Sequence, residues 1–209
     1  MARPRLLSSA ASTAAALAAC VGAFATIAAS PALASQAHGH HASAAAHSTC
    51  QNTELRPTAT NVSLIRTATL CLINSERRAH GERPLRPNRR LRRAAQAHTE
   101  SMAFGDYFEH VGPGGSGGGT PVTRLRAVGY ISSSHVGYEV GENIAWGTLG
   151  LSTPRAIVAA WMASPPHRAN ILDRRYRETG IGVSAHPPAS LAGGQPGAIY
   201  TQDFGVITR

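Results

Sequence analysis

Trp161-Met162-Ala163-Ser164-Pro165-Pro166-His167-Arg168-Ala169-Asn170-Ile171-Leu172 sets a histidine just behind an apolar helical face and a Ser-Pro pair. Ser-Pro is helix-start chemistry: the hydroxyl accepts from a free first-turn N–H, and proline fits where no N–H partner exists. The stretch predicts a helix carrying Ile157, Val158 and Trp161, then a restart that holds His167 rigidly. Two other short segments carry similar chemistry. Tyr107-Phe108-Glu109-His110 closes an amphipathic run, and Gly141-Glu142-Asn143-Ile144 follows a polar loop. Two imidazoles and a carboxylate are the minimum for an open metal site, and the same groups serve as general acid and base. The intervals, 32 residues from His110 to Glu142 and 25 from Glu142 to His167, are too long for a local ligand motif. Only the fold can bring them together.

Outward from this stretch the periodicity reads as helices followed by strands. Ile65, Ala68, Thr69, Leu72 and Ile73 recur at three- and four-residue steps from Val62, with Gly81 as the stop, giving a first core helix. Asn88 suits the N-cap of a second helix to about Phe104, burying Leu91, Ala94, Ala95, His98 and Met102 and delivering His110 just beyond its end. Thr120-Pro121 and Thr153-Pro154 open a third and a fourth helix. Strands are expected over residues 179–185 and 198–207, joined by a Pro/Gly-rich loop.

The first 34 residues have the layout of a secretory signal peptide: Arg3 and Arg5, an uncharged run from Leu6 to Ala29, then Ala32-Leu33-Ala34 before Ser35. An uncleaved anchor is the alternative, since the run is long enough to span a bilayer. Leu17-Ala18-Ala19-Cys20 also matches a lipoprotein box, although the apolar run continues past it. With the signal removed, a secreted, extracellular chain without a stable membrane span is expected. Residues 35–59, rich in Ala, Ser, Thr and His, read as a flexible arm, and residues 60–209 as one domain. Export leaves Cys50 and Cys71, which are expected to pair. Closing a loop of about 20 residues contributes roughly 3 kcal/mol in the chain-entropy account.

The formal charge is +9, and every basic residue is arginine. Removing Arg3 and Arg5 from +9 leaves +7. Such a balance suits anionic envelope polymers or lipid headgroups. Arg86, Arg89, Arg90, Arg92 and Arg93 form the densest cluster, on the solvated side of the second helix, and no nucleic-acid motif accompanies them. With no lysine in the chain, a phosphate loop with its lysine is excluded, and no His-Glu-x-x-His occurs. Gly114-Gly115-Ser116-Gly117-Gly118 fits the nucleophile-elbow pattern formally, but no strand precedes it, so it reads as a loop.

Taken in order, the segments resemble the CAP superfamily (cysteine-rich secretory proteins, antigen 5 and pathogenesis-related 1) in its compact bacterial secreted form. The resemblance covers about residues 62–208. It rests on Leu72-Ile73-Asn74-Ser75-Glu76-Arg77, Leu85-Arg86-Pro87-Asn88, Tyr107-Phe108-Glu109-His110, Gly141-Glu142-Asn143-Ile144-Ala145, Trp161 to Asn170, Thr179-Gly180-Ile181-Gly182-Val183 and Tyr200-Thr201-Gln202-Asp203-Phe204-Gly205. It implies an α+β fold, a three-layer α/β/α sandwich with a small antiparallel sheet. It also implies a central cleft lined by histidines and acidic residues, in which some members hold a divalent cation such as zinc. Carried over by position, His110, Glu142 and His167 are the cleft and metal candidates, with Asp203 and Glu139 as lesser acidic ones. Two departures stand out: Pro166 replaces the usual glycine before the histidine, and Ile199 stands where eukaryotic members place a histidine before the tyrosine. The bland readings are that Glu142 caps loop amides and that His167 hydrogen-bonds at its helix start. Three functions follow. The first is a secreted module whose His/Glu-lined cleft binds a small ligand, lipid, envelope component or divalent metal. The others are a metal-assisted, protease-like hydrolase using the same cleft, and an Arg-rich structural protein of the envelope.

Overall fold

The computed structural model describes residues 49–115 and 117–208, so the signal peptide, most of the arm and Ser116 lie outside the described residues. The expected helices form as α1 (Val62–Ala79), α2 (Arg89–Gly105), α3 (Pro121–Ala127), α4 (Pro154–Ala163) and α5 (Pro165–Leu172). Their starts follow local chemistry. The Asn88 side chain accepts from the Arg90 and Leu91 amides, Thr120 from Thr123 and Thr153 from Ala156. Ser164 differs: it makes no side-chain cap bond, because its hydroxyl is taken by His167. Pro165 and Pro166 fill the first positions of α5, where a missing N–H costs nothing.

Four strands, β1 (Arg86–Pro87), β2 (Gly137–Thr148), β3 (Glu178–Ser184) and β4 (Gly197–Thr208), form a sheet in the order β1-β3-β4-β2. Only the two-residue β1 runs parallel to its neighbour, so the sheet is mixed rather than wholly antiparallel. The 12-residue β2 was not expected from the pattern, yet it pairs with β4 from Gly137↔Thr208 to Thr148↔Gly197. Its alternation of Val140, Glu142, Ile144 and Trp146 is a strand signal that Gly137, Gly141 and Gly147 dilute.

Strand parity divides the molecule into layers. One sheet face carries Gly180, Gly182, Thr201 and Ile144, and α2 lies directly on it: the Thr99 hydroxyl donates to Thr201 at 2.9 Å. A Cβ at Gly180 would sit 2.0 Å from the Arg92 nitrogen, and one at Gly182 2.4 Å from the Ala95 oxygen. The two glycines of Thr179-Gly180-Ile181-Gly182-Val183 are thus required by the closeness of α2, not by a turn. The other face packs Ile181, Val183, Tyr200 and Phe204 with Ile65, Ile73, Ile157, Trp161 and Ile171 from α1, α4 and α5. This is a three-layer α/β/α sandwich.

Arg77 locks α1 to the end of α5. Fully buried, its guanidinium donates to the carbonyls of Arg83 at 2.7 Å, Ile171 at 2.5 Å and Asp173 at 3.1 Å. The end of the arm is tied to the fold: Cys50 and Cys71 form the expected disulfide, and buried Thr53 accepts from the Arg155 backbone at 3.0 Å and from its guanidinium at 3.0 Å.

Gly182→Ala is expected to destabilise the fold by about 1–3 kcal/mol, because one added methyl must push α2 off the sheet. Urea unfolding checks this: the midpoint falls while the slope stays unchanged.

Candidate functional site

The site is organised by one carboxylate. Glu142 lies on β2 opposite Asp203 of β4, and its side chain is only 2 % exposed. Both oxygens are occupied. Oε1 accepts from His110 Nδ1 at 2.8 Å, and Oε2 accepts from Arg124 Nη2 at 2.5 Å. Burial works to raise the Glu142 pKa, but the His110 hydrogen bond and the Arg124 charge outweigh it and hold the carboxyl below its ordinary value. An ionised carboxylate can only accept, so Nδ1 of His110 carries the proton and Nε2 is the nitrogen left for a ligand.

Two cationic or neutral nitrogen groups hold the loop that carries His110. Arg124, buried on α3, donates from Nη1 to the carbonyls of His110 at 3.2 Å and Gly119 at 2.5 Å. His98, wholly buried on α2, sets Nδ1 2.9 Å from the Gly117 oxygen and Nε2 3.0 Å from the Glu109 oxygen, with Glu142 Oε1 at 3.9 Å. Burial lowers the His98 pKa, against the pull of Glu142. The loop is therefore tied to α2 and α3 while the His110 ring stays half exposed.

β2 is an edge strand of the sheet, and α5 flanks it from the other face. Asn143 donates to the His167 carbonyl at 3.1 Å. Asn170 donates to the Glu142 carbonyl at 3.2 Å and to Asn143 Oδ1 at 2.9 Å. Gly141 leaves room for this junction: a Cβ there would lie 2.4 Å from the Tyr176 hydroxyl. His167 Nδ1 pairs with Ser164 Oγ at 2.8 Å, which leaves Nε2 free. Its pKa is lowered, first by burial and then by the His110 charge.

Asp203 shares the sheet face of Glu142, as strand parity requires. It is 1 % exposed, and neither oxygen has a hydrogen-bond partner among the described residues. Burial first, and the neighbouring Glu142 charge second, raise its pKa well above its ordinary value, and with no donor to its oxygens the neutral acid is the favoured form. Glu139 lies apart. It is on the opposite parity of β2, and its Oε2 meets the exposed Arg175 at 2.7 Å. Ile199 is fully buried beside Met102, Ala103 and Ile144, so that position is apolar core. Among the described residues no three His, Cys, Asp or Glu side chains are arranged to hold a metal ion. His98 reads from its helical face as a core residue, whereas the partnerships of Arg124, Asn143 and Asn170 with Glu142 and α5 are not expected from the sequence. A histidine on an otherwise apolar helical face and an arginine one turn after a Thr-Pro cap were the available signals.

A three-layer α/β/α sandwich with a histidine–carboxylate pair at one sheet edge defines the class. Residues 70–204 match the model of the cysteine-rich secretory protein family (CAP), and the chain belongs to that family. It is 33% identical over 134 residues to the uncharacterised protein YkwD of Bacillus subtilis (strain 168), covering 64% of this chain and 44% of YkwD. An extracellular protein containing a SCP domain from Bacillus anthracis is similar at TM-score 0.53 and 25% identity, over 73% of this chain and 45% of that one. An outer surface protein of Borrelia burgdorferi shares the fold at TM-score 0.53 and 16% identity, over 73% of this chain and 97% of that one. The chain thus spans less than half the length of the two Bacillus relatives.

Two outcomes are expected at this site. Asp203→Asn removes an acid whose folded pKa is raised, so the wild type loses stability relative to the variant as pH climbs above the unfolded value of about 3.9. Melting temperatures of the two should converge below that pH and separate, variant higher, toward neutrality. Arg124→Met leaves Glu142 buried with one oxygen unpaired and should cost about 3–5 kcal/mol by denaturant titration.

Proposed function

We propose that the protein is an exported binding module whose polar cleft takes its ligand on the Nε2 atoms of His110 and His167. One observation carries this: Glu142 has both oxygens committed inside the protein, so it orients His110 rather than offering itself to the cleft. A carboxylate that fixes tautomer and ring direction makes a preset hydrogen-bonding site. A cation would find two imidazole donors there but not the third protein donor of an open zinc site. Hydrolysis would need a nucleophile or activated water beside the pair, and among the described residues the one hydroxyl in hydrogen-bond contact with either imidazole, Ser164, meets His167 through the nitrogen facing its own helix. Export is supported by the signal-like N-terminus, by the disulfide, and by relatives described as extracellular or outer surface proteins. No helix among the described residues is long and apolar enough to cross a membrane. The ligand class is a small polar molecule or an envelope component with hydrogen-bonding groups.

Zinc titration by calorimetry, paired with a turnover screen on peptide and ester substrates with and without chelator, tests this reading. Weak zinc binding is expected, lost in His110→Ala and in His167→Ala and reduced by about 10–100-fold in Glu142→Gln through loss of ring orientation. Chelator-sensitive turnover abolished by either histidine variant would instead establish the metal-assisted hydrolase.

A further inference from the structure

The cleft uses one edge of the sheet, and the opposite edge is built differently. β3 lies at that edge, covered by β1 only at Arg86↔Glu178 and Pro87↔Thr179. Alternation along β3 turns Gly180, Gly182 and Ser184 toward β4 and turns Thr179, Ile181 and Val183 outward. The Thr179 carbonyl is met by the Asn88 N–H at 2.8 Å. At Val183 a side chain does the work of a missing strand: Gln96 Oε1 accepts from the Val183 N–H at 3.0 Å, and Nε2 donates to its carbonyl at 3.1 Å. Between them the outward N–H and C=O of Ile181 have no partner among the described residues. Ile181 is 5 % exposed, and an unpaired strand edge that opens onto a groove is a template for another chain.

A groove of about 490 Å³ opens over this point, between α1 and α2. Leu70, Pro87 and Ile181 supply its apolar surface, and Arg66, Arg89 and Arg92 its rim. None of the three arginines is in an ion pair among the described residues. Arg66 Nε is shielded from solvent and without a partner, while Nη2 reaches Gln96 Oε1 at 3.5 Å. The features call for an occupant with three properties: backbone groups to pair with Ile181, small apolar side chains for the floor, and carboxylates for the rim. We propose that this groove is a docking site for an extended acidic segment of a partner protein, which adds a strand to β3 at Ile181 and sets its carboxylates against Arg66, Arg89 and Arg92. A second copy of this chain is a poor occupant, because its surplus of arginine would face the same charge. Strand addition takes affinity from main-chain bonds and selectivity from alternate side chains, which matches a paired edge and a charged rim.

The probe is a fluorescein-labelled, N-acetylated and C-amidated octapeptide of alternating valine and glutamate, read by anisotropy on the full-length protein. Two N-methylated versions accompany it, one methylated at every valine and one at every glutamate, so that each blocks a single edge of the extended peptide. The parent peptide should bind, and one methylated version should lose at least about tenfold in affinity while the other stays within about twofold. Arg89→Glu with Arg92→Glu, both exposed on α2, should weaken the parent by about tenfold or more with an unchanged melting temperature. Hydrogen exchange at the Ile181 amide should slow on binding. Absence of binding overturns the proposal. So does equal binding by both methylated versions, which indicates charge adsorption alone. Displacement of the peptide by phosphatidylglycerol vesicles with Ile181 exchange unchanged by the peptide overturns it in favour of a lipid surface.

Discussion

The ionised Glu142 carboxylate, buried on β2, is the constraint from which the site follows. A charge at that depth persists only if its oxygens are hydrogen-bonded and its field is balanced. Arg124 meets one oxygen and His110 the other, and each partner is itself a link to something else. Arg124 brings α3 and the Gly119 carbonyl with it, and His110 brings the loop that His98 ties to α2. The carboxylate therefore acts as the common anchor of two helices, a strand and a loop. Its effect on chemistry is indirect, through the tautomer and direction of one imidazole.

Asp203 shows the other way a buried carboxyl is tolerated. Beside an ionised neighbour and without donors of its own, it keeps its proton. One strand register thus holds two acids in opposite states, and the difference comes from donors: Glu142 has two and Asp203 none. The neutral acid adds no charge beside the Arg124–Glu142 pair.

Much of this was legible beforehand because the signals were local. Asn88, Thr120-Pro121 and Thr153-Pro154 open helices through bonds within three residues, and apolar steps of three and four mark the buried faces. β2 escaped notice because it is glycine-rich and its pairing with β4 spans some 50 residues or more. His110, Glu142 and His167 could be named from their segments, but their roles depend on partners far apart in the chain. Arg124 reaches Glu142 across 18 residues and Asn170 reaches it across 28, and no spacing rule foretells either. Glu139 and Glu142 look alike as letters three residues apart. A strand separates them by face.

The Cys50–Cys71 disulfide has a mechanical consequence. A pull applied to the chain at residue 49 passes through the sulfurs straight into the middle of α1, and the 20 residues between the two cysteines are left out of the load path. α1 is in turn clamped to the end of α5 by Arg77, so force entering from the arm spreads into the helical layer rather than peeling a strand from the sheet edge. Reduction would reroute the same force through Thr53 and Arg155, whose hydrogen bonds yield far sooner than a covalent link.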